Sequence, residues 1–261
     1  GSQITFVLHD QDKKGQHKDY AYIMGDFNDW VLTNDDKSRM YRDDANGCWW
    51  LTVTGLDPDK EYRFQYRLGT DSGSDIYVSD PYTEIVYDQW NDKWVDGAPE
   101  FPAGAKALVS AFQINKPSYT WKVADFEVKD KNNLIIYEML FRDFTETKDI
   151  AGAIANFDYI KNLGVNAVEL MPIQEFDGNE SWGYNPNHWF ALDKYYGTRE
   201  EYKQFIDLCH ENGIAVIVDV VYNHATGSHP WAKMWWDGDA TADNNPWFNR
   251  AATHPYNLYH D

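Results

Sequence analysis

Ile214-Ala-Val-Ile-Val-Asp-Val-Val-Tyr-Asn-His224 is the stretch on which the reading of this chain turns. Apolar residues run without a break into Asp219, and Asn223 and His224 follow shortly after it. Such a run, with no polar alternation, suits a strand buried on both faces, as in a parallel sheet covered by helices. Polar residues gathered at the carboxyl end of that strand lie where α/β barrels and open α/β sheets carry their chemistry. Asp219, Asn223 and His224 can then point into one pocket. A buried strand whose Asp merely caps a neighbouring helix fits the same pattern.

Working upstream, Thr198-Arg-Glu-Glu201 is a capping box. Tyr202, Phe205, Ile206 and Cys209 then follow the helical i, i+3, i+4, i+7 spacing, and Gly213 stops the helix. Residues 134–140 and 165–172 read as two further strands. Between them Asp149 caps a predicted helix with Ile150, Ile154, Phe157 and Ile160 on its apolar face, ending at Leu163-Gly164. Strand, helix, strand, helix, strand implies right-handed crossovers and a parallel sheet. A full barrel of eight such units takes about 250 residues. Only three strands fit between Leu134 and Val221. Residues 225–261 carry Trp231, Trp235, Trp236 and Trp247 but no recognisable fourth strand, and read as a long excursion after the third.

The front of the chain has a different rhythm. Ile4-Thr-Phe-Val-Leu8, Tyr20-Ala-Tyr-Ile-Met24, Cys48-Trp-Trp-Leu-Thr-Val53 and Glu61-Tyr-Arg-Phe-Gln-Tyr-Arg-Leu68 are short strands between Gly, Asp, Asn and Pro clusters. In the last, Tyr62, Phe64, Tyr66 and Leu68 alternate with polar residues, which predicts one buried face and one wet face. Many short strands of this kind suggest a β-sandwich over residues 1–98. Residues 99–130, broken by Pro99, Pro102, Gly104 and Pro117, read as a linker with short strands in it, anchored by Trp121 and Phe126. The expected architecture is multidomain β plus α/β: an immunoglobulin-like sandwich, the linker, and over 131–261 the first three strands of a truncated (β/α)8 TIM barrel.

The 261 residues accommodate one large domain or two ordinary ones. With 23 basic and 42 acidic residues the formal charge is −19, which argues against nucleic acid or an anionic membrane surface as a partner. A neutral polymer is compatible with it. Aromatic residues make up 16%, including 12 Trp and 18 Tyr. Flat aromatic faces commonly hold sugar rings, although β-sheet cores also use many aromatics. Trp30, Trp49, Trp50, Trp90 and Trp94 are candidates for a stacking platform, with core or interface packing as the alternative. Cys48 and Cys209 fall in different predicted domains, so no disulfide is expected and the compartment is not revealed. No apolar run is long enough to span a membrane. The leading Gly1-Ser2 looks like a cloning scar, so any export signal would lie outside this sequence.

Asp219-Val-Val-Tyr-Asn-His224 resembles the first signature motif of the α-amylase superfamily, glycoside hydrolase family 13. Trp182-Gly-Tyr-Asn-Pro-Asn-His-Trp-Phe-Ala191 with Tyr196-Gly-Thr198 resembles that family's loop after the second strand, and Leu134-Ile-Ile-Tyr-Glu-Met-Leu-Phe-Arg-Asp-Phe-Thr145 its first strand. The three occur in the family's order and cover roughly half the chain. Gly25-Asp-Phe-Asn-Asp-Trp30 and Asp80-Pro-Tyr82 resemble the early-set sandwich of carbohydrate-binding module family 48.

The resemblance implies an α-glucan substrate (starch, glycogen, pullulan or maltooligosaccharides) and a retaining double displacement. That reaction needs a nucleophile and an acid about 5–5.5 Å apart. In the family these stand on the fourth and fifth strands, so no catalytic residue is assigned here and the 1–261 chain alone is expected to be inactive. Substrate-binding roles carry over to Tyr184, which would stack under the sugar ring, to Trp182 beside it, and to His224, which would hydrogen-bond sugar hydroxyls. Asp219 would hold an arginine next to the nucleophile. Asn223 matches a calcium ligand of many members; no cofactor is otherwise required, and calcium itself needs six to eight oxygens. Asp237, Asp239 and Asp243 do not fit a helix-loop-helix calcium site and read as a solvated turn. Glu169 and Glu175 are a makeshift acid pair only if they face each other.

A non-catalytic α-glucan-binding or scaffold protein derived from the family is the alternative function. The motifs leave α-1,4 and α-1,6 linkage, and hydrolase and branching transferase, unresolved. Three parallel strands outside a closed ring leave edges and apolar faces uncovered, so self-association of this chain is expected. A bacterial periplasmic, cell-surface or extracellular location is favoured over the cytoplasm.

Overall fold

The computed structural model describes residues 1–71 and 73–251. The chain forms two compact units: Gly1–Lys116, Asn185–Ala191 and Tyr222–Asp261 in the first, Pro117–Tyr184 and Leu192–Val221 in the second.

The first unit holds two antiparallel sheets. One is β1 (Ser2–His9), β4 (Cys48–Leu56) and β3 (Tyr41–Asp43), with β4 in the middle. The other runs β2 (Tyr20–Gly25), β5 (Tyr62–Gly69), β8 (Leu108–Phe112), β7 (Val86–Asp88), and β6 (Ile76–Val78) also pairs with β5. Phe6, Leu8, Trp49 and Leu51 from the first sheet meet Ala21, Ile23, Phe64, Tyr66 and Leu68 from the second in one buried cluster. The alternation read in β5 places Tyr62, Phe64, Tyr66 and Leu68 inward as expected. Its other face is drier than expected. Gln65 is buried because its amide donates to the Lys106 and Leu108 carbonyls, while Arg63 and Arg67 pair with Asp26 and Asp75.

The turn Gly25-Asp-Phe-Asn-Asp-Trp30 is a hydrogen-bonding hub. Asn28 Oδ1 accepts from Gly25 N at 2.9 Å and its amide donates to the Ile23 and Lys37 carbonyls. Asp26 binds Arg63 and accepts from Trp30 Nε1 at 3.0 Å. A Cβ at Gly25 would come within 2.5 Å of the Arg63 carbonyl, so only glycine fits. Among the tryptophans proposed as a platform, Trp49 is a core residue, whereas Trp50, Trp90 and Trp94 are exposed.

The stretch read as a linker is divided. Leu108–Phe112 is a sheet strand, paired with β5 and β7. Residues beyond Lys116 belong to the second unit. There the buried Asp207 carboxylate accepts from the Lys122 and Val123 backbone N–H groups and from the Tyr119 hydroxyl, and Phe126 stacks on His210 at 4.0 Å. Trp121 packs edge-on against Tyr119.

Residues from Tyr222 onward group with the first unit rather than with the strand they follow. The helix α5 (Pro230–Met234, numbered last of five in chain order) delivers Met234 into the sandwiching cluster, with Trp231, Trp235 and Trp247 around it. Trp235 Nε1 donates to the Asp10 carbonyl at 2.8 Å, Lys18 lies over the Trp235 ring, and Asn244 donates to Asp12 at 2.6 Å. Arg250 pairs with Asp237 and Asp239, which accounts for two of the three aspartates of that turn.

The second unit is a three-stranded parallel sheet, ordered β13 (Ala215–Val218), β10 (Ala167–Leu170), β9 (Ile136–Met139). Met139, Val168, Leu170 and Val216 lie in a cluster with Ile150, Phe157, Ile160, Phe205 and Cys209 from the helices α2 (Ile150–Ala155), α3 (Phe157–Asn162) and α4 (Arg199–Glu211). A short helix α1 (Phe141–Phe144) follows β9, and β11 (Gln174–Phe176) lies between α3 and α4; β12 (Pro186–Leu192), apart from Leu192, falls in the first unit. The capping box is present: Thr198 Oγ1 accepts from Glu201 N at 3.2 Å, and the Glu201 carboxylate accepts from Thr198 N at 2.7 Å. The single helix expected over 150–160 is two. Asn156 leaves helical geometry there (φ −105°, ψ 17°) and its amide bonds back to the Gly152 carbonyl, competing with the helical ladder. Cys48 and Cys209 are both buried free thiols.

Candidate functional site

The three parallel strands end level with one another. Leu170 is in register with Met139 on one side and Val218 on the other. The ladder continues one step past the strands, through Met171 N to the Met139 carbonyl and Asp219 N to the Leu170 carbonyl, each at 3.0 Å. Asp219 is therefore fixed at the carboxyl end of β13. Gln174 Oε1 accepts from Val221 N at 2.8 Å and pins the chain beyond it.

Tyr184 reaches the same place from a loop. Gly183 sits at φ +89°, and a Cβ there would lie 2.4 Å from the Pro172 carbonyl oxygen. The loop can lie this close to the end of β10 only because residue 183 has no side chain. Gly183 N is tied to Ser181 Oγ at 2.9 Å, and the Tyr184 hydroxyl donates to Asp219 Oδ2 at 2.7 Å. The hydrogen bond to Asp219, then partial burial, then the charges of Asp219, Glu138 and Glu169 push the Tyr184 phenol up to about 12. Glu138 and Glu169 are direct register partners on adjacent strands. Four oxygen-bearing side chains thus gather near the strand ends: Asp219, Tyr184, Glu138 and Glu169.

Tyr184 is 40% exposed and Trp182 62% exposed, so both ring surfaces are open to a ligand. Their phenol and indole faces offer stacking, and the Asp219 carboxylate offers acceptors for hydroxyl groups. Asn223 and His224 belong to the first unit, where Asn223 is exposed and the His224 carbonyl accepts from Trp189 Nε1 at 3.3 Å. Among the described residues no group of three or more His, Cys, Asp or Glu comes together where a metal ion could be held. Glu175 does not pair with Glu169: it is buried against the Lys194 ammonium at 2.6 Å.

Glu138 was missed by sequence reasoning. Its signal was present in the alternation of β9, where Ile136 and Glu138 share one face and Tyr137 and Met139 the other.

A parallel α/β sheet whose polar residues collect at the carboxyl ends of its strands belongs to the class of scaffolds that carry chemistry on that face. Residues 127–261, over half the chain, match the family described as alpha amylase, catalytic domain. A malto-oligosyltrehalose trehalohydrolase from Rhizobium sp. (strain M-11) is 28% identical over 224 residues, covering 83% of this chain and 34% of the relative. A 1,4-alpha-glucan branching enzyme from Halothermothrix orenii is 29% identical over 212 residues, covering 77% of this chain and 30% of the relative. Among solved structures, the GBS pullulanase SAP in complex with maltotetraose aligns with a TM-score of 0.63 at 22% identity, over 87% of this chain and 33% of that one. The chain belongs to the α-amylase family. It spans about a third of the length of these relatives.

Proposed function

We propose that this chain is the front part of a retaining α-glucan hydrolase or transferase, comprising a sandwich module and the first three strands of a (β/α)8 barrel. Its share of the work is to hold and orient sugar. Tyr184 presents its ring to a glucosyl unit and Trp182 flanks it; His224, in the first unit, is a hydrogen-bonding residue on the strength of the family resemblance. Asp219 is a positioning residue: its Oδ2 fixes Tyr184, and its other oxygen is left for a cationic partner beside the nucleophile. The two carboxyl groups that break the glycosidic bond belong to strands not among residues 1–261.

The observation that carries this reading is the Tyr184–Asp219 hydrogen bond at the carboxyl end of parallel strands, within the part that matches the family. Tyrosine and aspartate suit a neutral polyhydroxyl ligand, since one supplies an apolar face and the other acceptors.

The test has two arms. The natural protein containing this sequence is assayed for reducing sugar released from starch, pullulan and glycogen, and the 1–261 chain is assayed beside it. The first is expected to turn over and the second not. Turnover by the 1–261 chain would overturn the assignment of the bond-breaking groups; failure of maltotetraose to bind either protein would overturn the glucan assignment.

A further inference from the structure

The first unit carries a hollow of about 430 Å³. That volume is in the range of small-molecule pockets. Asp75 and Tyr77 form one wall, next to and within β6, and Lys106 stands beside them. Gly227, Lys233 and Trp236, from the segment after Tyr222, form the opposite wall.

The Trp236 ring is seated on Gly227. A Cβ at that position would meet the ring at 3.1 Å, so a larger residue would lift the indole away. With 36% of its surface exposed, Trp236 still offers area to a ligand.

The charges of the hollow do not cancel. Asp75 is already engaged, pairing with Arg67 and accepting from the Tyr20 hydroxyl at 2.5 Å. Lys106 Nζ lies 4.4 Å from the centre of the Tyr77 ring, a cation–π contact rather than an ion pair. Lys233 sits in the last turn of α5. Burial, with no carboxylate offsetting it, holds the Lys233 ammonium below the usual lysine range. Among the described residues neither Lys106 nor Lys233 forms an ion pair. A partly desolvated ammonium without an anion is an unfavourable arrangement, and an anionic ligand relieves it. Lys106 also feels the Asp75 carboxylate, but that carboxylate is already held by Arg67, so in a chain of formal charge −19 two lysines and one paired aspartate beside an indole leave a local excess of positive charge.

We propose that this hollow binds a small phosphomonoester with a ring-shaped body, of which sugar phosphates are the simplest. The phosphate lies between the Lys106 and Lys233 ammonium groups, which act as point-charge donors to its oxygens. The ring of the ligand lies against Trp236. The site is separate from the strand ends described above and does not depend on what they bind.

Glucose 6-phosphate, inorganic phosphate and glucose are titrated into the 1–261 chain by calorimetry at pH 7 and low salt. Glucose 6-phosphate is expected to bind at least tenfold more tightly than inorganic phosphate, glucose not at all, and added salt to weaken binding. Lys233→Met and Lys106→Met keep the apolar stems and are each expected to reduce affinity at least tenfold, with the melting temperature measured alongside. If Lys233→Met does not fold, the more accessible Lys106→Met alone decides the matter. Equal binding of glucose would make this a neutral-sugar site, and equal binding of inorganic phosphate would remove the role of the ring. No binding of the ester, or unchanged affinity in a folded lysine variant, would also overturn the proposal.

Discussion

The Tyr184 hydroxyl donates to Asp219 Oδ2 across 2.7 Å, joining a loop residue to the first residue past β13. The two are 35 positions apart in sequence. The contact is a lock between loop and sheet as well as a feature of the candidate site, and it can be tested in both capacities.

Tyr184→Phe removes the donor and keeps the ring. Stability is expected to fall by about 1 kcal/mol, the usual net worth of one hydrogen bond. The phenol, raised to about 12, stays protonated in the folded chain at pH values where the unfolded one ionises near 10. The folded state then binds the extra proton, so stability declines as pH rises from 10 towards 12. Urea melts across that range should show a shallower decline in Tyr184→Phe than in the parent; identical slopes would refute the coupling.

Gly183→Ala is expected to cost roughly 1–3 kcal/mol, since the new methyl meets the Pro172 carbonyl and the residue keeps a left-handed φ. Tyr184 should lose its place over Asp219 at the same time. Weaker maltotetraose binding together with a lower melting temperature is the expected pair of results. A fully native melting temperature would mean that the loop is not held as described.

His229 provides a pH test in the other direction. It is fully buried, its Nδ1 accepts from Trp231 N at 3.2 Å, and burial depresses its pKa to about 3. Unfolded, it takes up a proton below about 6.5, while folded it does not. Stability should therefore fall as pH drops from 6.5 towards 3, on the order of 1.4 kcal/mol per unit from this group. His229→Asn keeps a capping acceptor and removes the titration. Its melts between pH 7 and 4 should lack that part of the slope.

The 1–261 chain is expected to self-associate. β9 and β13 are the outer members of the parallel sheet, and Ile135, Ile136, Val218 and Val220 are exposed on or beside them. Unpaired parallel edges with apolar residues recruit further strands. Size-exclusion chromatography with light scattering should show species larger than 30.4 kDa; a single sharp monomer would count against it.

What the sequence disclosed was local. The apolar run into Asp219, the Thr198 capping box and the alternation of β5 each express a backbone period or a cap within a few residues, and each element is found where expected, although β13 is not buried on both faces: Val218 and, just beyond it, Val220 are exposed. What it hid depended on distant partners. Residues 99–130 read as a linker with short strands in it, and that Leu108–Phe112 joins the front sheet was not visible because its pairing strands lie some 20 to 50 residues upstream. The break at Asn156 turned on a side-chain bond that competes with the helix. The Gly-Tyr pair at 183 and 184 was legible through family resemblance, but its cause, the Pro172 carbonyl under Gly183, was not. The Lys106, Lys233 and Trp236 hollow joins segments about 130 residues apart and had no signal in either.

The Trp235 indole donating to the Asp10 carbonyl, with Met234 inside the cluster of the two front sheets, sets an order of assembly. A nascent chain emerges amino terminus first, yet its two front sheets, complete at Phe112, lack part of their filling until about 120 further residues have left the ribosome. Until then they expose the surface that Met234, Trp231 and Trp247 later cover, and chaperones have that interval in which to act. Cutting the front module away would likewise strip those side chains of their cover, so it does not behave as a detachable accessory.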